Sequence, residues 1–399
     1  MSTIFLARMQ KDPYDAAKRH RHRSSDSGGG RLANFAHTTW DMLRLIRHGG
    51  PAICNVAVTN SCNARCDFRT FANGKVSKTD LRWIDADQFG SALDVLYQRS
   101  IRYLNIFGGE PLMHPRLAEM ISMAVARNMA PALITNGWSL PSKLDELAAS
   151  GLKTIYVSID APLMADHEAN RGLSGLGDRI RSATRRMPSL GITPIAQIAM
   201  SKLITDYRTL IPLARDLGFR ALTFSYPQQA PLGSSSLAWS ATSKLVQFMP
   251  DELQSAFDQV NAIRRLFPVN NPSASIADMK RHLRQEQEKF VCCAGYKSFY
   301  MDWNYDLWRC DAWTERMCSV WDSLRTPLIR DGCTNCIADC YRDSSVMRHF
   351  AVSLGDTLDH LTQGRLFAAL KTLVSSANMS SIGAVIENGR VLSRLARIG

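Results

Sequence analysis

The chain of 399 residues lacks several features that would assign it to particular classes of protein. It has no uncharged apolar run of about 18 residues, which a membrane-spanning helix would need, and no apolar stretch typical of a signal peptide near its start. We therefore expect a cytoplasmic protein without a membrane span. In that reducing compartment, closely spaced cysteines are more often metal ligands or redox groups than structural disulfides.

Cysteine is also missing from the middle of the chain, between Cys66 and Cys292, although the sequence has ten cysteines in all. Three stand near the front, at Cys54, Cys62 and Cys66. The other seven are crowded together, at Cys292, Cys293, Cys310, Cys318, Cys333, Cys336 and Cys340. This distribution indicates two separate groups of candidate metal ligands or redox groups.

The most basic run, residues 18–23, contains no aromatic residue on which a nucleic-acid base could stack. A flexible-looking Ser/Gly-rich segment follows it at 24–30. The net charge of +12 by itself would suggest an acidic partner. We interpret residues 1–31 as a basic flexible tail instead, and we expect no nucleic-acid partner.

Six short apolar or β-branched runs alternate with amphipathic segments of helical periodicity. The runs are 55–59, 103–107, 132–135, 154–159, 192–198 and 221–225, and the helical segments are 85–98, 115–128, 142–149, 178–187 and 206–217. Such alternation predicts an α/β fold with parallel strands, and both a doubly wound sheet and a full or partial barrel fit it. The Gly-x-Gly-x-x-Gly pattern of a dinucleotide-binding fold is absent where it would be needed.

Polar residues and glycines follow the first four runs. They are Asn60, Ser61 and Cys62 after the first, Gly108 to Pro111 after the second, Asn136 and Gly137 after the third, and Asp160 after the fourth. Because ligands bind at the carboxyl ends of parallel strands in both architectures, we expect these residues to form one site.

Two of these segments carry a recognisable pattern: Cys62-Asn-Ala-Arg-Cys66, and Gly108-Gly109-Glu110-Pro111. They resemble the motifs of the radical S-adenosylmethionine (SAM) superfamily, which has Cys-x-x-x-Cys-x-aromatic-Cys after strand one and Gly-Gly-Glu-Pro after strand two. The resemblance covers about residues 52–228 and implies a partial (β/α)6 TIM-type barrel. It also implies a [4Fe–4S] cluster whose fourth iron binds SAM, and hydrogen abstraction by a 5′-deoxyadenosyl radical.

The third cysteine of the pattern is missing, because position 69 is Arg69. An arginine stays protonated and has no lone pair to offer iron, so Cys62 and Cys66 are the two remaining ligands. We expect Cys54 to be a packing residue rather than a substitute. A decayed family member, an altered sequence and an unusual ligation all fit this pattern. We favour the loss of one cysteine from an otherwise intact enzyme scaffold, because the neighbouring residues of the pattern persist.

The resemblance also implies roles for individual cofactor-binding residues. Phe68 would lie against the adenine, and Gly108, Gly109, Glu110 and Pro111 would receive the amino group of the methionine. Ser158 and Asp160 would face the ribose, although a helix cap is an equal alternative for Asp160. Arg171 would bind the carboxylate. Asn136 matches a common ending of strand three, and Gln197 and Ile198 would flank the adenine.

The distal cysteines surround residues 300–308, which predict a β-hairpin. Behind such a barrel they resemble the SPASM or shorter Twitch extension, which implies an auxiliary [4Fe–4S] cluster. The implied ligands are Cys292 or Cys293 together with Cys310, Cys333 and Cys336, while Cys318 and Cys340 are possible substitutes. Tyr305 replaces the glycine usual in that pattern. A structural zinc site is the main alternative.

The predicted organisation has six parts. They are the tail 1–31, a lead-in helix at 32–50, the core barrel 51–230, a helical connector 231–290, the cysteine-rich domain 291–345 and a C-terminal helical tail 346–399. An apolar stripe from residue 356 to 373 predicts a helix packed into the core.

The leading hypothesis is a radical SAM iron–sulfur enzyme that abstracts hydrogen from a peptide or a small metabolite. Such an enzyme would need an electron donor such as flavodoxin or ferredoxin. The alternative is an inactive iron–sulfur or zinc protein that keeps the barrel as a binding module for a partner, and Arg69 favours this alternative for the chain as written.

Overall fold

The computed structural model describes residues 41–69, 74–227 and 243–397. The predicted tail 1–31 and residues 32–40 of the predicted lead-in helix lie outside these ranges. Residues 41–47 are helical, in agreement with the end of that predicted helix.

Six parallel strands pair in chain order and form a partial (β/α)6 barrel. They are β1 Ala52–Ala57, β2 Ile101–Phe107, β3 Ala130–Thr135, β4 Thr154–Ile159, β5 Thr193–Ala199 and β6 Ala221–Ser225. Each predicted apolar run overlaps one of them. A doubly wound sheet would reverse its strand order part-way, and this sheet does not, so the barrel alternative is confirmed.

The helices that cover the strands are α1 Ala86–Gln98, α2 Leu117–Val125, α3 Leu140–Ala149, α4 Met164–Arg171, α5 Leu176–Arg186 and α6 Leu210–Asp216. In α1 the Asp85 side chain caps the first turn, and Phe89, Leu93 and Leu96 lie at helical spacing on the buried face. The helix α4 is absent from the predicted set, because its polar sequence has no apolar stripe to reveal it.

The cysteine-rich region extends the same sheet beyond β1. Its strands are β7 Ser298–Met301, β8 Asp306–Trp308 and β9 Arg316–Ser319, of which β7 is parallel to β1 and the other two continue in antiparallel fashion. The pairing of β7 with β8 confirms the predicted hairpin. Tyr305 turns this hairpin at a φ of +62°, a left-handed conformation that usually favours glycine.

The connector contains α7 Pro250–Ile263 and α8 Ser273–Leu283, and the C-terminal region contains α9 Asp339–Thr362, α10 Leu366–Leu373 and α11 Ser376–Arg397. The predicted core helix over 356–373 is wrong. The helix breaks at Gly364, whose φ is +70°, and Phe367 on α10 is 83% exposed. Among the described residues, no helix is both long and apolar enough to cross a membrane.

Candidate cofactor site at the strand ends

The loop after β1 and the loop after β2 run side by side at the carboxyl end of the sheet. The N–H of Gly109 donates to the Thr59 carbonyl oxygen at 2.7 Å, and the N–H of Glu110 donates to the Ser61 carbonyl oxygen at 2.7 Å. A Cβ at Gly108 would lie 2.3 Å from the Thr59 oxygen, and one at Gly109 would lie 2.1 Å from the Ser61 oxygen. Both positions therefore require glycine, because the two backbones are in direct contact.

The Glu110 carboxylate is fully buried and ties the loop after β2 to the end of β3. One carboxylate oxygen accepts hydrogen bonds from the Thr135 hydroxyl at 2.6 Å and the Leu112 N–H at 3.0 Å, and the other accepts from the Asn136 N–H at 2.7 Å. Burial raises the pKa of Glu110, although these hydrogen bonds oppose the shift. Glu110 thus has a structural role of its own, which is to join these two segments. Its role in binding the methionine amino group stays a prediction.

The end of β3 also holds the cysteine motif. The Asn136 amide nitrogen donates to the Asn63 side-chain oxygen at 2.7 Å, while its own oxygen accepts from the Trp138 N–H at 2.9 Å. Asn63 lies between Cys62 and Cys66, so this contact positions the loop that carries both thiols. Sequence reasoning missed Asn63, because the motif leaves that position unspecified.

Beyond β4, Asp160 pairs with Arg171 in the interior. The guanidinium donates to the Asp160 carboxylate at 2.6 Å, and both side chains are almost fully buried. Burial acts to raise the pKa of Asp160, but the charge of Arg171, its hydrogen bond and the contacts with His167 together outweigh burial and hold that pKa well below its usual range. The N-cap of α4 is Leu163, so the helix-cap alternative for Asp160 is wrong.

Helix α4 supplies two further contacts that sequence reasoning missed. The Asp160 N–H donates to Nδ1 of His167 at 3.1 Å, and the carbonyl oxygen of Arg171 accepts from the Arg65 N–H at 2.7 Å. Because Arg65 also lies within the cysteine motif, the end of α4 gives that loop a second anchor besides the Asn63 contact.

A pocket at these strand ends brings together seven residues of the predicted set: Cys62, Cys66, Gly108, Gly109, Asn136, Ser158 and Arg171. Thr135, Phe107 and Ile134 also line it, and so does Arg69. Five other residues of the predicted set do not line this pocket within the described part of the chain: Phe68, Glu110, Pro111, Asp160 and Ile198. The Phe68 ring is fully buried against Ala199 and Val246.

Arg69 reaches the pocket from a loop that Lys75 holds in place. The Lys75 ammonium donates to the carbonyl oxygens of Cys66 at 3.1 Å, Asp67 at 2.5 Å and Arg69 at 2.9 Å. These three bonds hold the carbonyl oxygens at the end of the motif together. The Arg69 side chain then lies beside the two thiols, where its charge acts to lower the pKa of both.

The donor set at the pocket does not fit a cluster held by three thiolates. Burial raises the pKa of Cys62 to about 11, and the third position presents a guanidinium without a lone pair. Cys54 lies on β1 and is fully buried in the core, in agreement with its predicted packing role. The pocket therefore has two thiols and a cation where the family pattern has three cysteines.

The distal cysteines gather in a second place. Cys292 and Cys310 are buried in one small cluster, and Cys333, Cys336 and Cys340 pack against it. The Cys292 N–H donates to the Cys333 carbonyl oxygen at 2.8 Å. Burial raises the pKa of Cys310 to about 12 and that of Cys336 to about 11.

Two of the predicted distal candidates lie elsewhere. Cys293 packs against Tyr296 and Val352, and its N–H donates to the Ser345 hydroxyl at 2.8 Å. Cys318 lies on β9 at the edge of the main core. Among the described residues, no group of three or more Cys, His, Asp or Glu side chains is arranged to hold a metal ion, so metal binding here stays a prediction.

The comparison with known families decides which motif this site carries. Residues 56–200 match the family model of the Radical SAM superfamily. This segment is a radical SAM domain. It contains the two-cysteine motif, the strands β2 to β5 and the segment Gly108-Gly109-Glu110-Pro111, called here the glycine strip. Arg69 therefore departs from the family pattern within the domain itself.

Several curated relatives match part of the chain. The GTP 3′,8-cyclase of Chlorobaculum tepidum is 27% identical over 151 residues, which are 37% of this chain and 44% of that protein. The mycofactocin maturase MftC of Mycobacterium ulcerans is 27% identical over 169 residues, which are 42% of this chain and 44% of that protein. The chain thus spans less than half of either relative.

Solved structures share the fold over a longer stretch. SuiB of Streptococcus suis bound to S-adenosylmethionine has a TM-score of 0.52 at 13% identity, with 78% of this chain and 72% of that chain covered. SuiB bound to its precursor peptide SuiA has a TM-score of 0.50 at 14% identity, with 75% and 70% covered. At these identities the likeness establishes the fold alone.

Proposed function

We propose that this chain has the scaffold of a radical SAM enzyme, which binds S-adenosylmethionine at its strand ends and, when position 69 supplies the third thiolate, abstracts hydrogen from a peptide or a small metabolite. The observation that carries this proposal is the pocket, in which Cys62, Cys66, the glycine strip and Arg171 come together inside a radical SAM domain. Cleavage of SAM in this family would draw on a low-potential donor such as flavodoxin or ferredoxin.

The backbone and side chains around the pocket suit the binding of a polar ligand. Backbone hydrogen bonds join the loops after β1 and β2. Asn136 and Arg171 each form a hydrogen bond with the motif loop. A site held in this way loses little conformational freedom when a ligand binds. In the unaltered chain these residues would bind SAM. Arg69 cannot serve as an iron ligand, so the cluster that cleaves SAM in the family lacks its third thiolate here.

One solved structure and two curated relatives support a peptide or small-molecule substrate. A structure with the same fold is that of SuiB bound to the precursor peptide SuiA, and a curated relative carries the name of a maturase. The other relative is named for GTP, which is a small molecule. Both substrate classes therefore stay within the proposal.

The experiment that tests the proposal compares the unaltered chain with Arg69→Cys after anaerobic reconstitution with iron and sulfide. Arg69→Cys restores the third thiolate, so we expect it to gain about four irons per chain and to release 5′-deoxyadenosine from SAM. The matched control is Arg65→Cys, which adds a thiol to the same loop at an exposed position outside the pocket lining.

We expect the control to match the printed chain in iron content and in deoxyadenosine release. If neither the printed chain nor Arg69→Cys binds SAM or acquires the additional cluster, the proposal is wrong. An equal gain by Arg65→Cys would show that any added thiol suffices, and this would remove the role we give to position 69.

The distal cysteines complete the proposal with an auxiliary [4Fe–4S] cluster. The placement of Cys292, Cys310, Cys333 and Cys336 supports them as its ligands, and Cys340 is the nearby alternative. Tetrahedral zinc uses the same ligand type, so metal analysis has to distinguish the two.

A second candidate function is a non-catalytic binding module, and the guanidinium of Arg69 in the pocket favours it. This candidate predicts metal at the distal cysteines, no deoxyadenosine from the printed chain and measurable binding of a peptide or partner protein. Deoxyadenosine release by the unaltered chain would exclude it.

A further inference from the structure

The guanidinium of Arg69 enters the pocket without a countercharge. None of the ion pairs among the described residues involves Arg69, and its Nε is buried with no hydrogen-bond partner among them. A buried polar group is normally paired, and a charged one more strictly so. This unpaired group therefore indicates that a ligand atom completes the site.

The acidic groups nearby are already engaged. Asp160 binds Arg171 and the Asn170 amide, at 2.6 Å and 2.8 Å. Both carboxylate oxygens of Glu110 accept hydrogen bonds from the protein. Among the described residues that line the pocket there is no aspartate or glutamate, whereas there are two arginines.

Arg171, which also lines the pocket, has the same feature. Its Nε is buried and has no hydrogen-bond partner among the described residues, although its terminal nitrogen is paired with Asp160. The pocket lining thus contains two buried guanidinium N–H donors and, among the described residues, no carboxylate to accept from them. An anion with two oxygens, such as a carboxylate, matches this set, because the guanidinium fork binds it in bidentate fashion.

We propose that Arg69 turns the strand-end pocket into an anion site that binds the carboxylate of S-adenosylmethionine directly, without iron. This inference rests on the proposed function only in its choice of SAM as the ligand. In the family pattern the third cysteine serves the cluster, whereas in this chain the residue at the same position contacts the ligand itself. Arg69 is then a binding residue, and SAM affinity does not depend on the iron content of the protein.

The experiment measures binding of SAM and of decarboxylated SAM by calorimetry. It uses the full chain without cluster reconstitution, and iron is determined on the same sample. A charge-assisted hydrogen bond of this kind corresponds to roughly 10- to 100-fold in affinity. We expect SAM to bind at a stoichiometry above the iron content, and decarboxylated SAM to bind weaker by that factor.

The matched variants are Arg69→Gln and Arg65→Gln, which remove the same charge from the same loop inside and outside the pocket. Arg69→Gln is expected to lose most of the preference for SAM over decarboxylated SAM, because only Nε of Arg171 is left to bind the carboxylate. Arg65→Gln is expected to keep both affinities. Circular dichroism confirms that each variant is folded, and the comparison of the two ligands on the unaltered chain needs no variant at all.

Equal affinities of SAM and decarboxylated SAM for the unaltered chain would overturn the inference, as would a lack of SAM binding. Binding of inorganic phosphate that depends on Arg69, together with such equal affinities, would assign the site to the anion of another ligand. The proposed enzyme function and the proposed anion site can be contradicted independently of each other. Deoxyadenosine from reconstituted Arg69→Cys supports the enzyme even if the printed chain shows no carboxylate preference, and the reverse pattern supports the anion site alone.

Discussion

Gly109 tolerates less change than its neighbours in the strip, because the carbonyl oxygen of Ser61 occupies the space where a side chain would begin. An ideal Cβ at Gly109 lies 2.1 Å from that oxygen and 2.9 Å from the carbonyl carbon of Asn60. Both neighbours are backbone atoms, so neither can rotate away. Even one methyl group would separate the loops after β1 and β2.

We therefore expect Gly109→Ala to lower the free energy of unfolding by about 1–3 kcal/mol. It should also weaken SAM binding, because the motif loop would move. The measurement is urea unfolding together with calorimetry. The matched control is Gly389→Ala on α11, where an added Cβ would meet no described atom beyond its own stretch of helix within 4 Å and alanine is the better helix former, so stability should rise by up to about 1 kcal/mol. Changes of the same sign in both variants would contradict this argument.

The junction of β1 and β7 is where the cysteine-rich region joins the barrel, and Lys297 is buried beside it. Its Nζ donates to the Gly50 carbonyl oxygen at 2.7 Å, and its own carbonyl oxygen accepts from the Ile53 N–H at 3.0 Å. Burial lowers the pKa of Lys297 to about 8, and the charge of Arg348 acts in the same direction. This lysine therefore loses its proton in the folded protein well before it does so in the unfolded chain.

An unfolded lysine titrates near pH 10.4, so between about pH 8 and 10.4 the unfolded chain binds the extra proton. Stability contributed by this group then rises with pH across that window. From about pH 7.5 to 10, we expect the unaltered protein to gain about 2–3 kcal/mol relative to Lys297→Met, measured by urea unfolding at each pH. The exposed Lys371→Met on α10 is the control and should follow the unaltered protein. Parallel pH profiles for all three proteins would contradict the assignment.

One nine-stranded sheet connects the two cysteine groups, with β1 between the barrel and the distal strands. The motif cysteines lie at the carboxyl end of the barrel strands. The distal group lies in the cysteine-rich region, where the Cys292 N–H donates to the Cys333 carbonyl oxygen. Cys292 and Cys293 are adjacent in the chain, but their side chains have different neighbours. Cys292 lies in the cysteine cluster, and Cys293 lies against Tyr296 and Val352.

This separation predicts different results for two neighbouring substitutions. Cys292→Ala is expected to remove most of the distal metal, while Cys293→Ala keeps it at the level of the unaltered chain. Plasma mass spectrometry gives the iron and zinc content, and visible absorption distinguishes an iron–sulfur cluster from zinc. Equal metal content in the two variants would contradict the ligand set with Cys292.

The strands and the strand-end residues were predictable, because short apolar runs and glycines at turns are local signals. Asn63, His167 and Lys75 were not, since each acts through one contact to a residue distant in sequence and belongs to no pattern. The exposed face of α10 was not predictable either. An apolar stripe predicts burial, and only the break at Gly364 shows that the helix changes direction there.

The sequence by itself determined the alternation of strands and helices, the two cysteine groups and the position of the missing thiolate, because periodicity and motif spacing are properties of the chain. The tertiary structure decided what surrounds each of them. It placed Arg69 beside two thiols in a pocket lined by no carboxylate among the described residues, and it separated Cys293 from Cys292. Burial and charge pairing depend on residues that meet only when the chain is folded, and so the chemistry of this pocket is a property of the fold.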